Sequence, residues 1–406
     1  MIPCIMAWGN TDKSRIHTAE TEIHPDDEDT LIKAFFTRNV FDEQTREACD
    51  AYARIRFPGV EATPLQTQGY CSYTLSLSKE HLLQFRPEAF KLDMETCREV
   101  KAIYGKYAPT TTYLGEIQGI PLQSRDGHVG SLMMHVYLHR RIPGIPLSEF
   151  RRRRRISLKG TEDRSANDIY KRRLMRGLAK VFALGFRARR QPREGIPKGR
   201  IGKSMESRLG LLGDLPSDDK DLQRHILEAH SQFDSIQSSD WCLTHGDLLP
   251  ANILVNSKTG RLTGLIDWAE AEWLPFGMAL YGIEEVLGET VLASEGFEYY
   301  ADHRELRQLF WSQFVSLIGQ RQMSIIQVQR LEAARKLGIL FWRGIAFDDG
   351  RMDRVVEEGR DGEEMQKLRL FLEAPGIAVN TGRGQDKRIF WHLGQFAWWM
   401  RNSCRY

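Results

Sequence analysis

The spacing of apolar residues changes decisively near Gly144. Between Leu65 and Leu114 apolar positions come in short runs. Gln66-Thr67-Gln68-Gly69-Tyr70-Cys71-Ser72-Tyr73-Thr74 sets β-forming residues around a glycine and predicts a hairpin over 65–77, and 81–86 predicts a strand closed by Pro87. Met94, Cys97, Val100 and Tyr104 repeat at helical spacing and predict one helix over 92–107. Strand-like runs return over 110–114 and 132–138, and a Pro143-Gly144 turn follows. Beyond Gly144 the period becomes helical. Leu174, Leu178, Val181, Phe182 and Gly185 share one face over 169–186, and Leu306, Leu309, Phe310, Phe314 and Leu317 do so over 303–318. The pattern predicts an α+β, bilobal chain: a small β-rich lobe with one main helix over 51–140, joined near 138–144 to a larger helical lobe over 141–373. Residues 1–50, polar and acidic around 24–29, read as a surface extension ending in one or two short helices, and 374–406 as a C-terminal tail. A cleft between two lobes is a common place for a ligand site.

One β-like island, 242–266, interrupts the helical half, and it holds the candidate chemistry. Trp241-Cys242-Leu243-Thr244 runs into His245-Gly246-Asp247, with Asn252 five residues further on. Ile253-Leu254-Val255, a turn-prone Asn256-Ser257-Lys258-Thr259-Gly260, and Leu262-Thr263-Gly264-Leu265-Ile266-Asp267-Trp268 then predict a hairpin. A hairpin returns its end to its start, so the carboxylates of Asp247 and Asp267 and the amide of Asn252 are expected to converge. Phosphoryl transfer needs such a set, because it rests on neutralising and positioning a highly charged polyphosphate. Mg²⁺ takes a few hard oxygen ligands and keeps several waters, which suits Asp267 and Asn252. Asp247, kept off the metal, is then placed to accept a proton from the acceptor, while His245 braces the loop.

With these residues quoted, the chain resembles the aminoglycoside phosphotransferase and choline kinase group, and most closely its fungal-type phosphotransferase branch. The likeness extends to Ala269-Glu270-Ala271-Glu272, Pro275-Phe276-Gly277, Phe310-Trp311 and Ala334-Arg335-Lys336-Leu337-Gly338-Ile339-Leu340. It spans roughly 60–373. The resemblance implies a protein-kinase-like fold that binds ATP or GTP with Mg²⁺ in the cleft and transfers the γ-phosphate to a hydroxyl or amine of a small-molecule acceptor. It implies that the Gly69 hairpin folds over the phosphates and that Arg86 stands where a phosphate-binding lysine is usual. Glu99 is then the helix partner of Arg86, with Glu95 the other candidate, and adenine lies near Tyr137, Leu138 and His139. The alternative is a kinase-fold binding or scaffold protein without turnover.

Composition narrows the picture further. A net charge of +3 and a pI near 8.4 argue against a nucleic-acid coat protein, and no nucleic-acid or membrane partner is expected. The run Arg151 to Arg155 reads as a solvated face of a helix or loop, the alternatives being nucleic-acid binding, a nuclear address or a hold on an anionic substrate. Glu270, Glu272, Glu284, Glu285 and Glu289 follow the metal motif and read either as a cation-holding group or as ordinary surface carboxylates. Six scattered cysteines without a CxxC pair suggest unpaired thiols and a cytoplasmic location. The apolar start 1–8 lacks a basic region before it and does not read as a signal peptide. Phe390, Trp391, Phe396, Trp398 and Trp399 suggest a packed helix in the tail, the alternative being an interfacial membrane helix.

Overall fold

The computed structural model describes residues 25–65, 68–121, 132–157, 164–192, 195–216, 218–291, 296–319, 323–348 and 352–376. The expectations for 1–24 and for the aromatic tail lie outside them. Helices α1 (Pro25–Arg38) and α2 (Glu43–Arg56) come first, and Asp42 starts the second by accepting from the Gln44 amide. Strands β1 (Thr63–Pro64), β2 (Tyr73–Ser76) and β3 (His81–Pro87) lead to helix α3 (Met94–Tyr104), then to β4 (Thr111–Gly119) and β5 (Leu132–Arg140). The five strands form one antiparallel sheet in the order β1-β2-β3-β5-β4.

Register assigns the two faces of this sheet. Tyr73, Phe85 and Val136 are cross-strand partners, and so are Thr74, Gln84 and Tyr137 one residue along, so the two sets point to opposite sides. The first face is apolar and packs on Ile32, Phe35, Phe36, Cys49 and Ala53 of α1 and α2. Helical spacing of Ile32, Phe35 and Phe36 makes that contact. The helices therefore exist as expected, but they cover the sheet, and the boundary placed at residue 50 falls inside α2. The second face is polar and turns toward the rest of the chain.

The larger lobe begins with β6 (Ile145–Pro146), α4 (Leu147–Ser157), α5 (Arg164–Arg187), α6 (Arg200–Leu211) and α7 (Lys220–Gln237). The island follows as β7 (Trp241–Thr244), β8 (Ile253–Val255), β9 (Leu262–Leu265) and β10 (Glu272–Pro275). Its pairing is richer than a lone hairpin: β8 lies between β6 and β9, and β10 pairs antiparallel with β7. A one-turn α8 (Tyr281–Glu284), the ribbon of β11 (Gly288–Val291) and β12 (Gly296–Tyr299), and helices α9 (His303–Leu317) and α10 (Ile325–Gly344) come next. The ribbon of β13 (Ile345–Asp348) and β14 (Met352–Val355) and helix α11 (Gly362–Leu372) complete the lobe. One core unites α3 of the first lobe with the helices of the second. Tyr104 makes that joint: its hydroxyl donates to the Leu243 carbonyl, and its ring lies 4.6 Å from Trp268. The result is the bilobal α+β architecture expected from the hydrophobic pattern.

No helix among the described residues is long and apolar enough to cross a membrane. Cys49, Cys97 and Cys242 are free thiols, whereas Cys71 is disulfide-bonded, against the expectation of unpaired cysteines.

Candidate active site

β7 delivers the chain into a turn at Gly246, where φ is +82°. A Cβ at this position would overlap the Glu270 carbonyl, so both the backbone angle and the close approach demand glycine. The antiparallel register of β8 and β9 then brings Ile253 opposite Leu265, and the Ile266 amide donates to the Asn252 carbonyl at 3.0 Å. Asp267 therefore emerges directly beside Asn252. The predicted hairpin closes on Asn256, whose Oδ1 accepts from the Lys258 and Thr259 amides.

Asn252 Nδ2 donates to the Asp247 carbonyl at 2.9 Å and to Asp247 Oδ2 at 2.8 Å. With its hydrogens so used, the amide has Oδ1 left for a hard cation. Asp247 Oδ1 is buried and has no hydrogen-bond partner among the described residues. Burial first, and then the neighbouring carboxylate of Asp267, push the Asp247 carboxyl up to about 7. Asp267 itself adopts φ +58°, a left-handed conformation that aspartate tolerates better than most residues and that clusters at functional sites. Its side chain is 37% exposed.

The donor set can be compared with what Mg²⁺ requires. No three His, Cys, Asp or Glu side chains form a metal cluster among the described residues. A magnesium ion held by one carboxylate, one amide oxygen, phosphate oxygens and water needs no such cluster. Asp267 and Asn252 Oδ1 fit that requirement.

His245 is buried, and its Nε2 donates to the Ile266 carbonyl at 2.8 Å while Nδ1 accepts from the Asp247 amide at 3.3 Å. Burial lowers its pKa to about 4, so the ring is neutral near pH 7. It fastens the Asp247 turn to the strand end that precedes Asp267.

On the opposite lobe, Arg86 is 3% exposed on the polar face of the sheet. Its Nε donates to the Phe90 carbonyl at 2.7 Å and Nη1 to Gln84 Oε1 at 3.1 Å, and Nη1 stands 4.0 Å from Asp267 Oδ1. The expected pairing with Glu99 is not found among the described residues. Glu99 instead accepts from Arg190 at 2.7 Å and from Trp273 Nε1 at 3.0 Å, and Glu95 is exposed. Helix rotation explains the correction. Cys97 is the α3 residue within electrostatic reach of Arg86, and Glu99 lies about 200° further round at about 100° per residue.

The nucleotide-contact residues divide between faces as well. Tyr137 and His139 lie on the polar face, where the Tyr137 hydroxyl accepts from the Leu92 amide at 3.0 Å and His139 hydrogen-bonds Thr111 and Gln84. Leu138 faces the other way, against the core under α1 and α2, so it does not share a surface with Tyr137. Gly69 sits in the expected hairpin, bridged to Ser72. Gln68 secures that turn by bonding Leu65 and Thr74, and Ser72 accepts from Gln84 beside Arg86.

The acidic stretch resolves into distinct jobs. Glu284 is bound by Arg307, Arg335 and the Tyr299 hydroxyl, Glu285 by Arg343 and Lys367, and Glu289 by Arg155 at 3.7 Å. Glu272 accepts from the Ile201 and Gly202 amides at 2.9 Å each and so caps α6 from outside. Glu272→Ala is expected to cost about 1–2 kcal/mol of stability, the size of a lost helix cap, measured by urea unfolding. Glu270 differs. Both its carboxylate oxygens are buried without a hydrogen-bond partner among the described residues, in the field of Asp247, Asp267, Arg200 and Arg86. Burial pushes its carboxyl well above the usual range. It belongs to the site, and its place three residues after Asp267 on the same loop was the available signal.

The arginine run is largely spent on this chain. Arg151 is buried and donates to the Val286 carbonyl at 3.1 Å, Arg152 and Arg153 bond Glu149, and Arg154 lies over the Tyr170 ring at 5.1 Å. Arg152, Arg153 and Arg155 are exposed, as the solvated-face expectation has it, and Arg151 is the buried exception.

Solved structures with which the chain aligns include an aminoglycoside-3'-phosphotransferase of type VIII, at 18% identity and TM-score 0.42, covering 74% of this chain and 100% of that one. They also include the GDP complex of aminoglycoside 2'-phosphotransferase-IIIa, at 15% identity and TM-score 0.46, covering 82% and 98%. A third is a Streptomyces rimosus aminoglycoside phosphotransferase with ADP and streptomycin, at 13% identity and TM-score 0.42, covering 73% and 98%. No curated protein matches. The family model described as the phosphotransferase enzyme family matches residues 117–309, which include His245, Asp247, Asn252 and Asp267. Over those residues the chain is similar to the phosphotransferase enzyme family.

Proposed function

We propose that this chain transfers the γ-phosphate of ATP, with Mg²⁺, to a hydroxyl or amine of a small-molecule acceptor. The observation that carries the reading is Asp247: a buried carboxylate held at Oδ2 by Asn252, unpartnered at Oδ1, and adjacent to Asp267. Mg²⁺ at Asp267 and Asn252 would neutralise charge on the phosphates. Asp247 Oδ1 accepts the acceptor proton as the acceptor oxygen or nitrogen bonds to phosphorus and the bond to ADP breaks. Asn252 and His245 hold that carboxylate in place. Arg86 brings a guanidinium, which can grip phosphate oxygens in pairs, to the same point from the sheet. Glu284, Glu285 and Glu289 are paired with this chain's own cations, so those three carboxylates are not offered to a cationic acceptor.

The reading is tested by thermal unfolding with MgATP. A real site stabilises by mass action, about 2.7 kcal/mol at a hundredfold excess over Kd, and the rise in Tm should shrink when magnesium is chelated. GTP in place of ATP identifies the preferred donor. An unchanged Tm at millimolar MgATP rejects the proposal and leaves a scaffold with this fold.

A further inference from the structure

Residues 245–249 belong to no helix or strand, so the peptide groups around Asp247 must find partners elsewhere. Two residues far along the chain supply them. The Tyr281 hydroxyl donates to the Gly246 carbonyl at 3.2 Å and accepts from the Leu248 amide at 2.9 Å, so one oxygen spans the peptides on both sides of Asp247. Trp342 Nε1 donates to the same Gly246 carbonyl at 2.6 Å. The two rings stack 4.8 Å apart at 14° and are 1% and 5% exposed. Gly282, next to Tyr281, admits Leu248 so closely that a Cβ there would lie 2.6 Å from Leu248 Cδ2. The clamp therefore joins α8 and α10 to the loop, and Trp342 lies beyond the residues matched to the family.

We propose that Tyr281 and Trp342 are positioning residues for Asp247, fixing its carboxylate through the flanking backbone. A proton acceptor must be placed to within a fraction of an ångström, and a shift of about 1 Å can cost about 100-fold in rate. His245 and Asn252 fasten this turn from within the loop, and Tyr281 and Trp342 add the hold on the Gly246 carbonyl and the Leu248 amide from outside it. This inference rests on the phosphotransferase reading above.

Tyr281→Phe removes the bridging oxygen and keeps the stacked ring, while Trp342→Phe removes the indole donor and keeps an aromatic partner. The assay is ADP release from MgATP with water as acceptor, alongside MgATP binding by calorimetry and amide exchange at Leu248. Tyr281→Phe should lower kcat about 10- to 100-fold, with KM and Kd for MgATP near wild type and faster exchange at Leu248. Trp342→Phe, which leaves Gly246 one donor, should lower kcat about tenfold. Wild-type kcat in Tyr281→Phe overturns the clamp, as does a loss of MgATP binding that parallels the loss of rate. Wild-type protein that binds MgATP but releases no ADP, with water or with a panel of hydroxyl- and amine-bearing small molecules, overturns the phosphotransferase reading, and the clamp falls with it.

Discussion

Asp247→Asn is expected to reduce phosphoryl transfer by about 10²- to 10⁴-fold, the range contributed by a positioned general base. MgATP affinity should stay near that of the wild-type protein. The geometry makes this substitution clean. Asparagine keeps the shape of the side chain, and its carbonyl oxygen can still accept from Asn252 Nδ2 where Oδ2 does now. The loop keeps its fastenings at His245, Tyr281 and Trp342. What is lost is the ability of the unpartnered buried oxygen to take a proton. Stability should not fall, because a buried carboxylate whose pKa is driven up by burial and by Asp267 is replaced by a neutral group. Steady-state ADP release and calorimetry on the two proteins decide it. Full turnover in the variant removes Asp247 from the mechanism.

The parts of this molecule that were legible in the sequence are those encoded locally. The change from short β runs to helical spacing near Gly144 marks the passage from sheet lobe to helical lobe, and α5 and α9 follow the apolar stripes through Leu174 and Phe310. The turn at Asn256 and the two runs beside it suffice to bring Asp267 back to Asn252. What stayed hidden depends on rotation or on distant packing. The first turn of α1 is acidic and reads as surface, and the burial of Ile32, Phe35 and Phe36 against the sheet appears only when the strands are in register. Glu99 and Cys97 are two residues apart, yet only the orientation of α3 decides which one meets Arg86. Tyr281 and Trp342 resemble ordinary core aromatics along the chain. Their hydrogen bonds to the Asp247 loop, made across 33 and 96 residues, have no local signature.

Asp267→Asn is expected to weaken magnesium-dependent nucleotide binding by about 100-fold or more, since even outer groups around a metal contribute 10- to 100-fold to its affinity. Asparagine is the informative replacement because Asp267 has φ +58°. Asparagine enters the left-handed region at least as readily as aspartate, whereas alanine there adds about 1–2 kcal/mol of backbone strain unrelated to the metal. The substitution also removes the carboxylate that Arg86 faces at 4.0 Å, at a position more than a third exposed, so little folding stability should be lost. Asp247 responds in a definite direction. With the neighbouring negative charge gone, the second-largest cause of its raised pKa disappears and the carboxyl titrates lower. Asp267→Asn therefore differs from Asp247→Asn in kind: the first loses the magnesium-dependent part of ATP binding, the second loses the chemical step. Calorimetric titration of ATP into each protein, with and without Mg²⁺, separates the two. If Asp267→Asn binds ATP with an undiminished magnesium response, the metal is held elsewhere and the assignment of Asp267 and Asn252 fails.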